Sequence, residues 1–202
     1  MKAIFWQIPE TLPEKFCKEI IEYAKTKDLS LGVTGVDTVT TDEIKKSLKK
    51  RKSSILWLKE NWIYRMLDPY INFANKDMHL NYQISTHEVC QFTVYERGQY
   101  YGWHQDAWPE PYPMSHRDKN VRNKNRKLSS VIALNSRDEY EGGVLQVALD
   151  NTHNPKRQVY NVDLSTRGSI SVFPSYLWHR VTPVTKGTRY SLVMWTLGNS
   201  FK

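Results

Sequence analysis

Apolar residues in the first third of the chain recur at helical spacing. Leu12, Phe16, Ile20 and Tyr23 fall four, four and three residues apart, which predicts an amphipathic helix from about Pro13 to Lys27. Ile63, Met66, Leu67, Tyr70, Ile71 and Ala74 form a second stripe of the same period, again the core face of a helix. From about residue 80 the period changes. Short β-rich runs follow at 89–95, 100–104, 168–174 and 188–195, broken by Gly, Pro and Asn. In the last of these, Arg189 shares a face with Ser191, Val193 and Trp195, while Tyr190, Leu192 and Met194 point the other way. Helices first and strands afterwards predict an α+β fold. We expect roughly six to eight strands in a double-stranded β-helix, or jelly roll, with the N-terminal helices packed on one sheet. No repeat or long linker interrupts the 202 residues, a length that suits one domain. Residues 1–80 then serve as helical support and residues 81–202 as the jelly-roll core.

Composition narrows the class. The hydrophobic fraction is 40% and the mean hydropathy is −0.62, with no apolar run long enough for a membrane span. The apolar N-terminal run ends at Pro9, too short for a signal peptide. Cys17 and Cys90 are the only cysteines, so there is no disulfide framework, and a cytoplasmic location is expected. The net charge of +8 concentrates in two segments. Lys45, Lys46, Lys49, Lys50, Arg51 and Lys52 read as a solvated face. Arg117, Lys119, Arg122, Lys124, Arg126 and Lys127 lie in a long polar stretch without apolar anchors, which reads as a mobile binding loop.

That loop follows the strongest chemical signal. In His104-Gln105-Asp106 the two ligand-type side chains fall on one face of an extended strand, and His179 and Arg189 lie further along the chain. Two imidazoles and a carboxylate on one side of a metal, leaving other positions open, are the ligand set of non-haem Fe(II) oxygenases. Arg189 adds a planar fork of donors suited to holding a carboxylate at a set distance from the metal, which points to oxidation of a C–H bond with 2-oxoglutarate. No Ser-His-Asp or paired-carboxylate pattern competes, and a Zn²⁺ hydrolase would leave Arg189 without a role.

The segments Tyr95 to Asp106, Gly142-Gly143-Val144-Leu145 and His179 to Trp195 resemble the prolyl 4-hydroxylase-type Fe(II)/2-oxoglutarate-dependent dioxygenases, especially PKHD-type hydroxylases. The resemblance covers residues 87–198 and, more loosely, Trp57 to Tyr82. It implies that His104, Asp106 and His179 bind Fe(II), that Arg189 binds the C5 carboxylate of 2-oxoglutarate, and that Tyr95 and Tyr101 line the co-substrate pocket. Some relatives carry a Tyr just before the Leu-Asn pair that is Leu134-Asn135 here. This chain has Ala133, which leaves Ser129 or Ser191 as the second donor to that carboxylate.

The implied reaction consumes dioxygen and hydroxylates a polypeptide at a prolyl residue, with ascorbate as a reductant that the protein binds. Trp108, Tyr112, Arg122, Lys124, Arg126 and Trp195 are the candidate substrate residues, and the basic loop favours an acidic peptide. A nucleic acid backbone would answer the same field. The same chemistry on a lysyl residue, a free amino acid or a nucleobase is the alternative; a non-catalytic jelly-roll binding module ranks below it. His116 reads as a solvated loop histidine, and His79, His87 and His153 as structural or exposed.

Overall fold

The computed structural model describes residues 4–32, 41–150, 154 and 156–200. His153 lies outside these, and so does the side chain of Lys46. The described residues form three α-helices, one 3₁₀ turn and three sheets, the two larger of which face each other. The helices are α1 (Glu14–Lys25), α2 (Thr41–Lys50) and α3 (Asn61–Asp77).

The larger sheet has eight strands. Its order is β1 (Trp6–Ile8), β12 (Ile170–Pro174), β8 (Lys124–Ala133), β15 (Arg189–Asn199), β6 (Cys90–Tyr95), β4 (Ser54–Leu58) and β2 (Ser30–Leu31), with β5 (Thr86–His87) pairing β15. The smaller sheet runs β11 (Val159–Val162), β10 (Leu145–Ala148), β13 (Trp178–Val181), β7 (Tyr100–His104) and β3 (Arg51–Lys52). β9 (Tyr140–Gly142) and β14 (Val184–Gly187) pair separately.

Alternation along the strands of the larger sheet divides the molecule into two cores. Leu192 and Met194 of β15, Phe92 of β6 and Ile132 of β8 share a buried cluster with Phe16 and Ile20 of α1 and with Ile63, Leu67 and Ile71 of α3. On the opposite face Val131, Ala133 and Tyr95 pack with Leu145, Val147, Phe173 and Val181, between the two sheets. The metal-type residues open into this second layer.

Two expectations need correction. Residues 1–80 are not only helical support, because β4 lies inside the larger sheet, paired with β6 from Ser54↔Val94 to Leu58↔Cys90. Its five residues follow a lysine-rich helix and the basic pair of β3, so the short period-two signal is masked by the charge beside it. The stretch from Arg117 to Lys127 is also anchored. Val121 is buried against Trp195 and Leu197, and β8 already begins at Lys124. The Tyr112 amide donates to the Lys124 carbonyl and the Asn123 amide donates to the Tyr112 carbonyl, which ties both ends of the turn to the sheet.

Candidate metal centre and co-substrate pocket

His104 ends β7 and His179 lies within β13, and the two are direct cross-strand partners. Asp106 lies just beyond the end of β7, where its own amide and that of Ala107 both donate to the Ser175 carbonyl. That fold of the chain, rather than strand alternation, brings the carboxylate to the imidazoles. The three ligand atoms all lie within 4.8 Å of one another. Asp106 Oδ1 is 3.7 Å from His104 Nε2, and Oδ2 is 3.3 Å from His179 Nε2. All three residues are buried.

Backbone contacts orient both rings. His104 Nδ1 lies 2.8 Å from the Gly102 carbonyl and His179 Nδ1 lies 2.9 Å from the Leu177 carbonyl, so Nδ1 carries the hydrogen and Nε2 keeps its lone pair for the centre. Ser129 Oγ donates to Asp106 Oδ2 at 2.7 Å and lies 2.9 Å from Ser175 Oγ. Burial and the neighbouring His179 charge hold the His104 pKa well below its usual value. Burial would push the Asp106 carboxyl up, but His179, His104 and Arg126 outweigh it and hold it far below the usual range. For His179, burial alone would lower the pKa, yet the Asp106 charge and hydrogen bond leave it raised. This donor set suits a divalent cation: one bound carboxylate, two free ring nitrogens and no competing cysteine.

One pocket joins this cluster to Arg189. Its walls include His104, Asp106, His179, Arg189, Ser191 and Tyr101. Tyr95, Val193 and Trp195 also line it, as does Gln91, which the sequence reading had not singled out. Arg189 is buried, with its NH1 donating to Ser191 Oγ at 3.0 Å and its guanidinium 5.5 Å from the Tyr95 ring. Its NH2 has no hydrogen-bond partner, an orphaned buried donor facing the space where a carboxylate would fit. Gly143 makes room for it: its φ is +58°, and a Cβ there would come within 2.9 Å of Arg189 Cδ.

Tyr101 reaches the pocket by an irregularity. Val181 pairs with Tyr101 and His179 with His104, so β7 spends three steps where β13 spends two. The bulge turns Tyr101 to the face of His104, and the rings stack with centroids 3.5 Å apart.

The remaining candidates are spread around the mouth. Trp195 lines the pocket and stacks under Arg126 at 4.1 Å. Arg126 is half-buried: its NH2 pairs with Glu88 Oε2 at 2.5 Å, and its NH1 reaches the Asp106 carbonyl at 3.4 Å. It is therefore a fixed part of the wall around Asp106, not a mobile loop cation. Tyr112 donates to Glu88 Oε1 at 2.9 Å and borders an outer groove with Trp57, His116 and Val121. Trp108 is 53% exposed and lines a separate cleft with Tyr176, away from the metal-type cluster. Arg122 and Lys124 donate to the His116 and Asn120 carbonyls within the loop. His116 is half-buried and accepts from the Asp118 amide, whereas the sequence reading had it solvated. His79 is exposed, and His87 is held by Asp68 at 3.0 Å and Thr196 at 3.0 Å. Among the described residues no helix is long and apolar enough to cross a membrane.

Comparison with known proteins converges on one family. A PKHD-type hydroxylase of Bordetella pertussis (strain Tohama I) is 35% identical over 104 residues, covering 52% of this chain and 41% of the relative. The chain thus spans less than half of that relative's length. A PKHD-type hydroxylase of Janthinobacterium sp. (strain Marseille) is 29% identical over 191 residues, covering 93% of this chain and 76% of the relative. A Pseudomonas putida prolyl-4-hydroxylase superposes with a TM-score of 0.65 at 18% identity, covering 98% of this chain and 94% of that one. A Trichoplax adhaerens prolyl hydroxylase in complex with a hypoxia inducible factor peptide fragment gives 0.63 at 17% identity, covering 96% and 83%. At such identities the structures establish the fold, a mostly β jelly roll. The sequence profile of the 2OG-Fe(II) oxygenase superfamily matches residues 90–197, more than half of the chain, and the protein belongs to that superfamily.

Proposed function

We propose that this chain is an Fe(II)- and 2-oxoglutarate-dependent dioxygenase that hydroxylates a polypeptide at a prolyl residue. The observation that carries the reading is the placement of His104, Asp106 and His179 in one pocket with Arg189, whose buried NH2 lacks a partner. His104 and His179 offer Nε2 to the metal, and Asp106 offers a carboxylate oxygen while Ser129 steadies the group. Arg189, with Ser191 beside it, holds the C5 carboxylate and so sets the orientation of the co-substrate. Tyr95 and Tyr101 flank that position, and Val131, Leu145, Val181 and Val193 keep it dry. Iron and 2-oxoglutarate, when bound, supply the oxidising power that places one atom of dioxygen on a substrate carbon, with succinate and carbon dioxide as co-products.

The polypeptide substrate is supported by the peptide held in the Trichoplax relative and by the outer groove along Trp57, Glu88, Tyr112 and His116. In this reading residues 1–202 act as one domain, the helices brace the larger sheet, ascorbate restores oxidised iron, and the reaction takes place in the cytoplasm. The experiment is succinate release with Fe(II), 2-oxoglutarate and a panel of prolyl peptides, lysyl peptides, free amino acids and single-stranded oligonucleotides. Mass spectrometry then looks for the gain of one oxygen atom. Stimulation by prolyl peptides is the expected result. Stimulation by oligonucleotides alone would overturn the polypeptide reading.

A further inference from the structure

Arg51 belongs by sequence to a basic run, yet it is only 4% exposed. It sits on β3, whose register places it opposite Tyr101 of β7, and its side chain crosses toward the larger sheet. Its Nε donates to Ser53 Oγ at 2.8 Å and its NH1 to Gln91 Oε1 at 3.3 Å. Its guanidinium lies 4.7 Å from the Tyr101 ring. Gly32 leaves it space, since a Cβ there would lie 2.9 Å from Arg51 Nε. Its NH2 is buried and has no hydrogen-bond partner, and no carboxylate pairs with it among the described residues.

A buried guanidinium without a counter-charge is expensive, and structural arginines in such places are normally paired. A residue needed only to seal the edge of the sandwich could be apolar. Arg51 instead touches two side chains of the pocket, Gln91 and Tyr101. Strand register sets the direction. Arg189 lies opposite Tyr95 on β6, whereas Gln91 lies four residues further along, opposite Val193. At roughly 3.4 Å per residue that is about 14 Å of backbone along β6, so the two arginines are anchored at different positions along the strand. The charges agree: a divalent metal and Arg189 balance Asp106 and the two carboxylates of the co-substrate, so Arg51 remains unmatched among the described residues.

We propose that Arg51, which lies behind the pocket-lining side chains of Gln91 and Tyr101, is a specificity-determining residue that binds a carboxylate of the substrate. This rests on the dioxygenase reading above and adds the chemical class of the substrate: one bearing an acidic group near the carbon to be oxidised. In the free protein the Gln91 amide oxygen holds the place at NH1 that the carboxylate takes, and the long 3.3 Å contact is easily exchanged for a charge-assisted pair.

The test uses the Zn(II)- and 2-oxoglutarate-loaded protein and two peptide libraries, each randomised around a central Pro or Lys. One library carries Glu and the other Gln at otherwise identical positions. Binding is read from tryptophan fluorescence and from NMR. The Glu library should contain peptides that bind about tenfold or more tightly than their Gln counterparts. Arg51→Gln should erase that ratio while leaving 2-oxoglutarate affinity unchanged. Arg51→Lys, which keeps the charge but not the fork, should retain part of it, and it serves as the second variant if Arg51→Gln fails to fold. A ratio near one in the unmodified protein, including no binding by either library, overturns the proposal, as does an equal ratio in both variants. Failure of the loaded protein to bind 2-oxoglutarate at all would instead count against the dioxygenase reading.

Discussion

Ser129 Oγ donates a 2.7 Å hydrogen bond to Asp106 Oδ2, joining a residue of the central strand β8 to a carboxylate 23 positions earlier. The contact orders the one acidic group of the cluster before any metal arrives. Groups of this kind around a ligand typically contribute tenfold to a hundredfold in metal affinity. Ser129→Ala should therefore weaken metal binding by about tenfold or more, read by chelator competition, while the affinity for 2-oxoglutarate at saturating metal stays close to normal. A loss confined to 2-oxoglutarate binding would instead give Ser129 the role of second donor to the C5 carboxylate.

His104→Ala, Asp106→Ala and His179→Ala should each abolish tight metal binding and leave the circular dichroism spectrum nearly unchanged. The three residues converge on an open pocket and no strand pairing depends on their side chains. Near-normal metal affinity in any one variant would remove that residue from the centre.

Arg189→Ala should raise the dissociation constant for 2-oxoglutarate by roughly tenfold to a hundredfold, the range expected for a charged hydrogen-bonded pair. Arg189→Lys should recover part of this, because a point charge cannot reproduce the planar fork. Unchanged affinity in the alanine variant, measured by titration calorimetry, would assign the carboxylate to another group.

Metal binding should weaken as the pH falls, because protons compete with the metal for the ligand imidazoles. Burial works against protonation of His179, but the Asp106 charge and hydrogen bond prevail and raise its pKa. His104 is held neutral by burial and by His179. Since ligation needs both imidazoles neutral, affinity should fall as pH drops below the raised His179 value. Titration calorimetry over a series of pH values measures the affinity, and a pH-independent affinity would contradict the assignment.

Burial pushes the thiol of Cys17 up to about 11 and that of Cys90 up to about 12. Both should stay protonated, and so resist iodoacetamide, at about pH 8 in the folded protein, with rapid alkylation only after denaturation. Labelling of either in the native state would show that its surroundings open.

Much of the architecture was legible because it rests on local periodicity. The stripes through Phe16 and Ile20, and through Ile63 and Leu67, became the buried faces of α1 and α3. The alternation of Arg189, Ser191, Val193 and Trp195 against Leu192 and Met194 reappears as the division between pocket and helix-covered core. Both patterns follow from the fixed geometry of a helix or strand, which any stretch of sequence carries with it.

What the chain alone determined is therefore the chemistry available: two histidines, an aspartate and an arginine on β-forming segments, and the faces those segments would bury. The tertiary structure decided how the chemistry is held. Alternation places Tyr101 away from His104, and only the bulge against β13 turns it back. Ser129 meets Asp106 because β8 lies beside the loop that leaves β7. Arg126 and Arg51, alike in sequence with their solvated neighbours, are drawn in from solvent by Glu88 and Trp195 in one case and by Tyr101 and Gln91 in the other. A side chain's charge is written in its own position, but whether it meets water, a carboxylate or an aromatic face depends on residues that only strand pairing brings near, 38 positions away for Arg126 and 40 for Arg51.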